Sequence, residues 1–179
     1  QESMATAQKH IRGADIRCSE YELRKMGLHP PSTPCRRELC PEWMQNAFSL
    51  YDRLADLGFA AYPAQNSKKQ WIETNSQATF TALLGDQPLP KPTLEGRLQR
   101  QLAIFFAGLG IQDPMDFFEE ITRHKVLCGN LPMNLVFQID ELDALAAVLV
   151  AYFVVNHPDN ISMVGDSEEG VVCFPARKI

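Results

Sequence analysis

The chain contains several stretches in which apolar side chains recur at helical spacing. One stretch opens at Pro41, carries Trp43, Leu50 and Leu57 on one face, and stops at Gly58, a residue suited to a left-handed helix end. The predicted helices are one ending at Gly27, one over 41–58, a short one over 76–84, one capped by Thr93 and ended by Gly108 and Gly110, one from Asp113 to about His124, and one over 139–156.

Short runs of aromatic and β-branched residues predict a few strands between these helices. The predicted strands are 59–62, 70–74, 161–164 and 171–174, the last two forming a hairpin. Pro-rich stretches at 29–41 and 85–92 predict loops. Helices interspersed with a few strands indicate the α/β class.

Length and charge narrow the function classes. A chain of 179 residues fits a single domain over 1–179, and 45% hydrophobic with 22% charged residues is typical of globular proteins. The net charge of -5 disfavours binding by non-specific phosphate neutralisation, which usually needs a basic excess. Any contact with nucleic acid is therefore expected to be local or bridged by a metal ion.

Neither a membrane span nor a secretory signal is expected. The longest apolar stretch, 144–155, is shorter than the roughly 20 residues that a span needs, and residues 1–5 lack the basic and apolar regions of a signal. We expect a cytoplasmic protein without a membrane partner, and the sequence leaves its oligomeric state open. The five cysteines fit reduced thiols, and Cys35 with Cys40 lacks the second pair that a zinc site needs.

The first turns of the last long helix carry the clearest candidate chemistry. Asp140 and Asp143 project from one helix face, and their oxygens could share Mg²⁺ or Mn²⁺ as metal ligands and catalytic groups. Stabilisation of the helix dipole is the simpler explanation for Asp140 and Glu141. Asp143 is harder to explain in that way, because it lies between Leu142 and Ala144, where a buried carboxylate needs compensation.

Other candidates have ordinary explanations beside their functional ones. Glu73 ends a predicted strand, where sites gather in α/β sheets, although a solvated glutamate is equally compatible with that place. Arg97 and Arg100 share a helix face and could bind phosphate, or form surface salt bridges. His124 near a helix end is explained by the dipole. The sequence has no Gly-rich phosphate loop, zinc-protease motif or nucleophile elbow.

Several longer motifs together resemble a known family, the domain of unknown function 429. The motifs are Ile16-Arg17-Cys18 with Glu22-Leu23-Arg24 and Gly27, Trp71-Ile72-Glu73-Thr74, the run from Thr93 to Gln101, the run from Asp113 to Glu120, and Asp140 to Leu145. That family is a predicted-nuclease family assigned to the ribonuclease-H-like fold. The resemblance implies a sheet flanked by helices, here with a helical insertion, and an acidic cluster that binds two magnesium ions for phosphodiester hydrolysis.

One departure from the family pattern affects the expected site. The fold class opens with strands that carry an essential Asp, and no such segment precedes Ile16; Asp15, beside Gly13 and Ala14, is no substitute. We therefore expect the chain to correspond to about the last two-thirds of such a domain. The leading hypothesis is a metal-dependent nuclease or phosphoester hydrolase; the alternatives are a non-catalytic binding module without a full metal site and an assembly subunit.

Overall fold

The computed structural model describes residues 16–34 and 36–176, which form seven α-helices and five short strands. The helices are α1 (Cys18–Lys25), α2 (Glu42–Asp56), α3 (Ser76–Leu84), α4 (Leu94–Phe106), α5 (Asp116–Glu119), α6 (Arg123–Leu127) and α7 (Ile139–Asn156). The strands are β1 (Ala60–Ala61), β2 (Gln70–Trp71), β3 (Glu73–Thr74), β4 (Ile161–Asp166) and β5 (Gly170–Pro175). The predicted α/β class is confirmed. Within the described residues, no helix is both long and apolar enough to span a membrane.

The chain divides into two compact units. The first takes the chain up to Glu73 together with Met163–Cys173, and the second takes Thr74–Ser162 with the residues from Phe174 onward. The expectation of a single domain stays a prediction, since compact units of this kind also occur inside one domain. Cys35, one of the two cysteines considered for zinc, lies outside the described residues.

The extended stretch predicted at 70–74 forms two strands instead of one. β2 pairs in parallel with β1, with Ala60 opposite Gln70 and Ala61 opposite Trp71. After Ile72 the chain begins β3, which belongs to a separate three-stranded sheet of order β3-β5-β4. One short extended segment therefore contributes to two sheets.

In the first unit, α1 is tied to the C-terminal hairpin of β4 and β5. The Gly165 amide donates to the Glu22 carboxylate at 2.9 Å, and the Cys18 amide donates to the Glu169 carboxylate at 2.7 Å. Gly165 has φ of +116°, and a Cβ placed on it would lie 2.9 Å from Cβ of Ser19. Only glycine allows this backbone conformation together with so close an approach. The predicted hairpin is confirmed.

Three helices of the second unit, α3, α4 and α7, share an apolar core. Its buried members are Phe80, Leu83, Ala103, Ile104, Leu142, Ala146 and Leu149. Asn75 caps α3 by accepting from the Ala78 amide at 2.9 Å, and Thr93 caps α4 by accepting from the Gly96 amide at 3.0 Å. Helix α7 covers the residues that apolar periodicity predicts, because its core-facing positions recur along one face.

Polar side chains of α4 hold the segment that leads into α7. The buried amide of Gln101 donates to the Leu135 carbonyl at 3.0 Å and accepts from the Phe137 amide at 3.0 Å. Arg97 donates to the carbonyls of Phe137 and Val136, at 2.7 and 2.8 Å. Since a buried amide without partners would be costly, these bonds fix the point from which α7 starts.

The single helix predicted from Asp113 to about His124 is wrong. Helix α5 ends at Glu119, and Thr122 has extended backbone and accepts a hydrogen bond from the Lys125 amide at 3.2 Å. A threonine that caps in this way starts a new helix and interrupts the old one. His124 thus belongs to the five-residue helix α6, and it still lies in the last turn of its helix, where the dipole favours a cation.

The loop before α4, residues 88–92 (the proline loop), is hydrogen-bonded to that helix and to its cap. Its Leu89 amide donates to the Gln99 side chain at 2.7 Å, and its Leu89 carbonyl accepts from the Arg100 guanidinium at 2.8 Å. The Pro90 carbonyl accepts from the hydroxyl of Thr93 at 2.9 Å. These bonds, together with the fixed φ of its prolines, give the loop one conformation on α4.

Replacing Gly96 by alanine tests this attachment. A Cβ at Gly96 would lie 2.0 Å from the Pro90 carbonyl oxygen, a backbone atom that cannot move aside cheaply. Replacing glycine by alanine inside a helix normally raises the free energy of unfolding by up to about 1 kcal/mol. Here we expect Gly96→Ala to lower the free energy of unfolding by about 1–3 kcal/mol. Urea unfolding would measure the change, and a stabilised variant would contradict the close approach.

Candidate functional site

The residues predicted to carry chemistry lie in both units. Glu73 belongs to the first unit, whereas Asp140, Asp143, Arg97 and Arg100 belong to the second.

In the second unit, Asp143 is paired with Lys91 of the proline loop. The Lys91 ammonium lies 2.5 Å from Oδ2 of Asp143, and about a third of each side chain is exposed, 34% and 35%. The other carboxylate oxygen, Oδ1, is buried and has no hydrogen-bond partner among the described residues. Asp143 is therefore half-buried, with its charge compensated on one oxygen only.

Asp140 lies one turn earlier on α7 and is exposed. Asp140 and Glu141 both lie in the first turn, where their charges stabilise the helix dipole, and the Glu141 carboxylate also accepts from the Gln138 amide at 2.6 Å. Asp140 is left on the same helix face as Asp143 without that capping bond.

Arg97 and Arg100 both donate to backbone carbonyls. Arg97 binds the two carbonyls that precede α7, and Arg100, only 2% exposed, donates to the carbonyls of Leu89 and Gly96. Burial lowers the pKa of the Arg100 guanidinium, and attraction to the Asp143 carboxylate opposes that shift. Nε of Arg100 is buried and has no hydrogen-bond partner among the described residues.

The geometry limits how a metal could be held. Among the residues that the structure describes, no group of three or more His, Cys, Asp and Glu side chains is arranged to hold a metal ion. The two carboxylates of α7, Asp140 and Asp143, do not form such a group.

In the first unit, Glu73 forms a two-pronged ion pair with Arg17. Nη1 of Arg17 donates to Oε2 at 3.0 Å, Nη2 makes a close contact with Oε1, and the two side chains are about three-quarters buried. Burial acts to lower the pKa of Arg17, but the hydrogen bond and charge of Glu73 outweigh it, so the pKa is raised. Both carboxylate oxygens of Glu73 are thereby occupied.

Further polar contacts surround this pair. Buried Glu20 accepts from the amide and hydroxyl of Thr33, at 3.1 and 2.5 Å, and from the Arg17 amide at 3.1 Å. Nε of Arg17 is buried and has no hydrogen-bond partner among the described residues. The Tyr51 ring stacks on Trp71 with 4.5 Å between centroids. Burial, and then the charge of Glu73, raises the pKa of Tyr51.

Sequence reasoning missed the two basic partners, Lys91 and Arg17. The only local signal for Lys91 is its place between Pro90 and Pro92, immediately before the helix cap at Thr93. That signal predicts a stiff loop but does not say which carboxylate the ammonium will meet. Arg17 stands 56 residues from Glu73, and no spacing rule connects them.

Comparison with known proteins gives one finding. A family model described as "Protein of unknown function (DUF429)" matches residues 6–169. No curated protein and no solved structure matches the chain.

Removal of Arg17 tests how much its ion pair with Glu73 contributes to the free energy of unfolding. Arg17→Met leaves a largely buried carboxylate without its partner, so we expect a loss of about 2 kcal/mol or more in the free energy of unfolding. Arg37→Met is the control, because the Arg37–Asp52 pair is exposed and should cost less than about 1 kcal/mol. Equal losses measured by urea unfolding would contradict the assigned role.

A second prediction concerns Cys173, which is fully buried. Burial, and then the nearby charge of Glu73, raises its pKa from the ordinary value of 9.0 to about 11. As the pH rises, the thiol therefore loses its proton in the unfolded chain before it does so in the folded protein. The stability that the protonated, buried thiol contributes is complete below pH 9 and is lost as the pH rises to 11.

Across this window the natural chain should lose about 2 kcal/mol more stability than Cys173→Val, which has no thiol to ionise. Unfolding free energies measured for both proteins between pH 9 and 11 give the difference directly. Parallel pH profiles for the two proteins would show that the thiol titrates normally.

Proposed function

The chain belongs to the family of proteins of unknown function DUF429, and from this premise we propose that it is a metal-dependent nuclease or related phosphoester hydrolase. The family description assigns no activity, so the proposal rests on the side chains that begin α7. It includes a ribonuclease-H-like fold, nucleic acid as the substrate class and residence in the cytoplasm, which the sequence motifs and the pattern of cysteines favour.

The proposal rests on one observation: only one of the two carboxylate oxygens of Asp143 has a partner among the described residues. Its Oδ2 faces the Lys91 ammonium, while its buried Oδ1 has no donor among the described residues. A buried carboxylate oxygen is costly unless a hydrogen bond or a cation compensates it. A divalent cation would do so, and Asp140 on the same helix face offers a second oxygen ligand.

Asp140 and Asp143 are therefore the proposed metal ligands, for Mg²⁺ or Mn²⁺. When bound, such an ion stabilises the negative charge that develops on the phosphoester during hydrolysis. Lys91 and Arg100 place positive charge beside Asp143. The α4 hydrogen bonds to the proline loop and to the start of α7 keep these groups in place.

The remaining predicted site residues keep their roles as proposals. Glu73, in the first unit, stays a proposed catalytic carboxylate, although both of its oxygens face Arg17. Arg97 and Arg100 are the proposed phosphate contacts, although backbone carbonyls accept from two N–H donors of each. A phosphate would have to use the remaining donors, and half-buried Arg97 is the more accessible of the two arginines.

A non-catalytic binding module is the second candidate. It is favoured by the basic partners of both acids, since Arg17 and Lys91 already neutralise Glu73 and Asp143. A protein with these pairs can keep the fold without any metal.

A cleavage assay separates the two candidates. The natural chain, incubated with Mg²⁺ or Mn²⁺ and labelled single-stranded, duplex, hybrid and branched nucleic acids, is expected to cleave at least one of them. Because Asp143→Asn removes the ligand charge, it should lower the rate by about 100-fold or more.

Asp159→Asn is the matched control, since Asp159 is an exposed aspartate in a short 3-10 helix and has no place in the site. The ion should also raise the thermal stability of the natural chain by mass action. Cleavage that persists in Asp143→Asn would remove Asp143 from the site. No cleavage and no ion-dependent stabilisation would favour the binding module.

A further inference from the structure

A cavity of about 280 Å³ lies beside α2 in the first unit (the α2 cavity). Its lining residues are Pro34, Arg37, Phe48, Tyr51 and Asp52. Ligand pockets commonly measure roughly 300–1,000 Å³, so this volume suits one small ring system better than a larger ligand. Three of the lining side chains carry rings, and the other two carry opposite charges.

The planar groups of the α2 cavity are held in place by their neighbours. The Tyr51 ring stacks on Trp71 with 4.5 Å between centroids. The guanidinium carbon of Arg37 lies over the Phe48 ring, 5.3 Å from its centroid. A guanidinium is planar, and flat ring systems stack on it as they do on aromatic side chains. The cavity therefore offers fixed planar surfaces to a flat ligand.

The polar groups of the α2 cavity are only partly used. Oδ2 of Asp52 accepts both hydrogen bonds from Arg37, at 3.3 and 3.2 Å. No described residue bonds to Oδ1 of Asp52, to Nε of Arg37 or to the Tyr51 hydroxyl. The side chains of Arg37 and Asp52 are 51% and 68% exposed, so a ligand can approach them from solvent. The open groups are an acceptor, a donor and a hydroxyl that can act as either.

We propose that the α2 cavity binds one nucleobase of a single-stranded nucleic acid. A base is a flat ring that stacks on aromatic and guanidinium planes, and its edge carries both donors and acceptors for Asp52 and Arg37. The opposite charges of these two side chains balance, so the cavity favours an uncharged base over a phosphate. The inference rests on the proposed function for nucleic acid as the substrate class, but it uses none of the α7 residues.

A peptide is the other ligand that aromatic walls suit. Proline-rich peptides dock on aromatic side chains, but a proline has no N–H to donate to the open oxygen of Asp52. The combination of an open donor with an open acceptor therefore favours the base.

Fluorescence anisotropy of a labelled single-stranded oligonucleotide tests this inference, with a chelator present so that a metal-dependent activity cannot cut the probe. An abasic strand of the same length carries the same phosphates without bases, and we expect it to bind about 10-fold more weakly or worse, because base stacking supplies the affinity. Binding of the complete strand should depend little on salt, since few phosphates are neutralised.

Two variants locate the binding in the α2 cavity. Arg37→Met and Asp52→Asn should each weaken binding of the complete strand by about 5-fold or more. Arg53→Met is the matched control, because it removes the same charge from an exposed arginine of α2 that does not line the cavity, and it should have little effect. Circular dichroism checks that each protein is folded.

The outcomes separate this inference from the proposed function. Equal binding of the abasic strand, equal effects of Arg37→Met and Arg53→Met, or no binding of either strand would overturn the base site. Arg37-dependent binding of a proline-rich peptide in place of the strand would also overturn it and assign the cavity to a protein partner. Base-dependent binding without cleavage in Mg²⁺ or Mn²⁺ would support the base site and count against a hydrolase.

Discussion

A buried guanidinium needs hydrogen bonds in place of water, and Arg100 takes them from the loop that carries Lys91. This constraint sets the position of the proline loop on α4 and thereby brings the ammonium to Asp143. Gly96 makes the approach possible, because the Pro90 carbonyl occupies the place of a side chain there. The candidate chemistry of the second unit depends on this attachment more than on any single acidic residue.

The two acids singled out in the sequence illustrate how the type of basic partner decides what a carboxylate can still do. Arginine meets Glu73 with two donors and leaves neither oxygen open. Lysine meets Asp143 with one charge and leaves Oδ1 without a donor among the described residues. A carboxylate is therefore paired through both oxygens in one unit and through one oxygen in the other.

Local sequence signals predicted much of the secondary structure but not these pairings. Apolar periodicity and caps located α4 and α7, because helices are stabilised by contacts within a few residues. The single helix expected after Asp113 is instead two helices, because Thr122 caps a new helix where the apolar pattern predicted that the first would continue. Lys91 and Asp143 stand 52 residues apart, so their contact depends on the packing of α4 against α7, which spacing does not encode.

The first unit draws on both ends of the described chain, whereas most of the second is one continuous stretch. Glu22 and Cys18 bond to Gly165 and Glu169, residues more than 140 positions later. On the ribosome, the second unit can therefore collapse while α1 still lacks its hairpin. The first unit is completed only when synthesis has passed Cys173, so α1 must wait until the hairpin of β4 and β5 has been made.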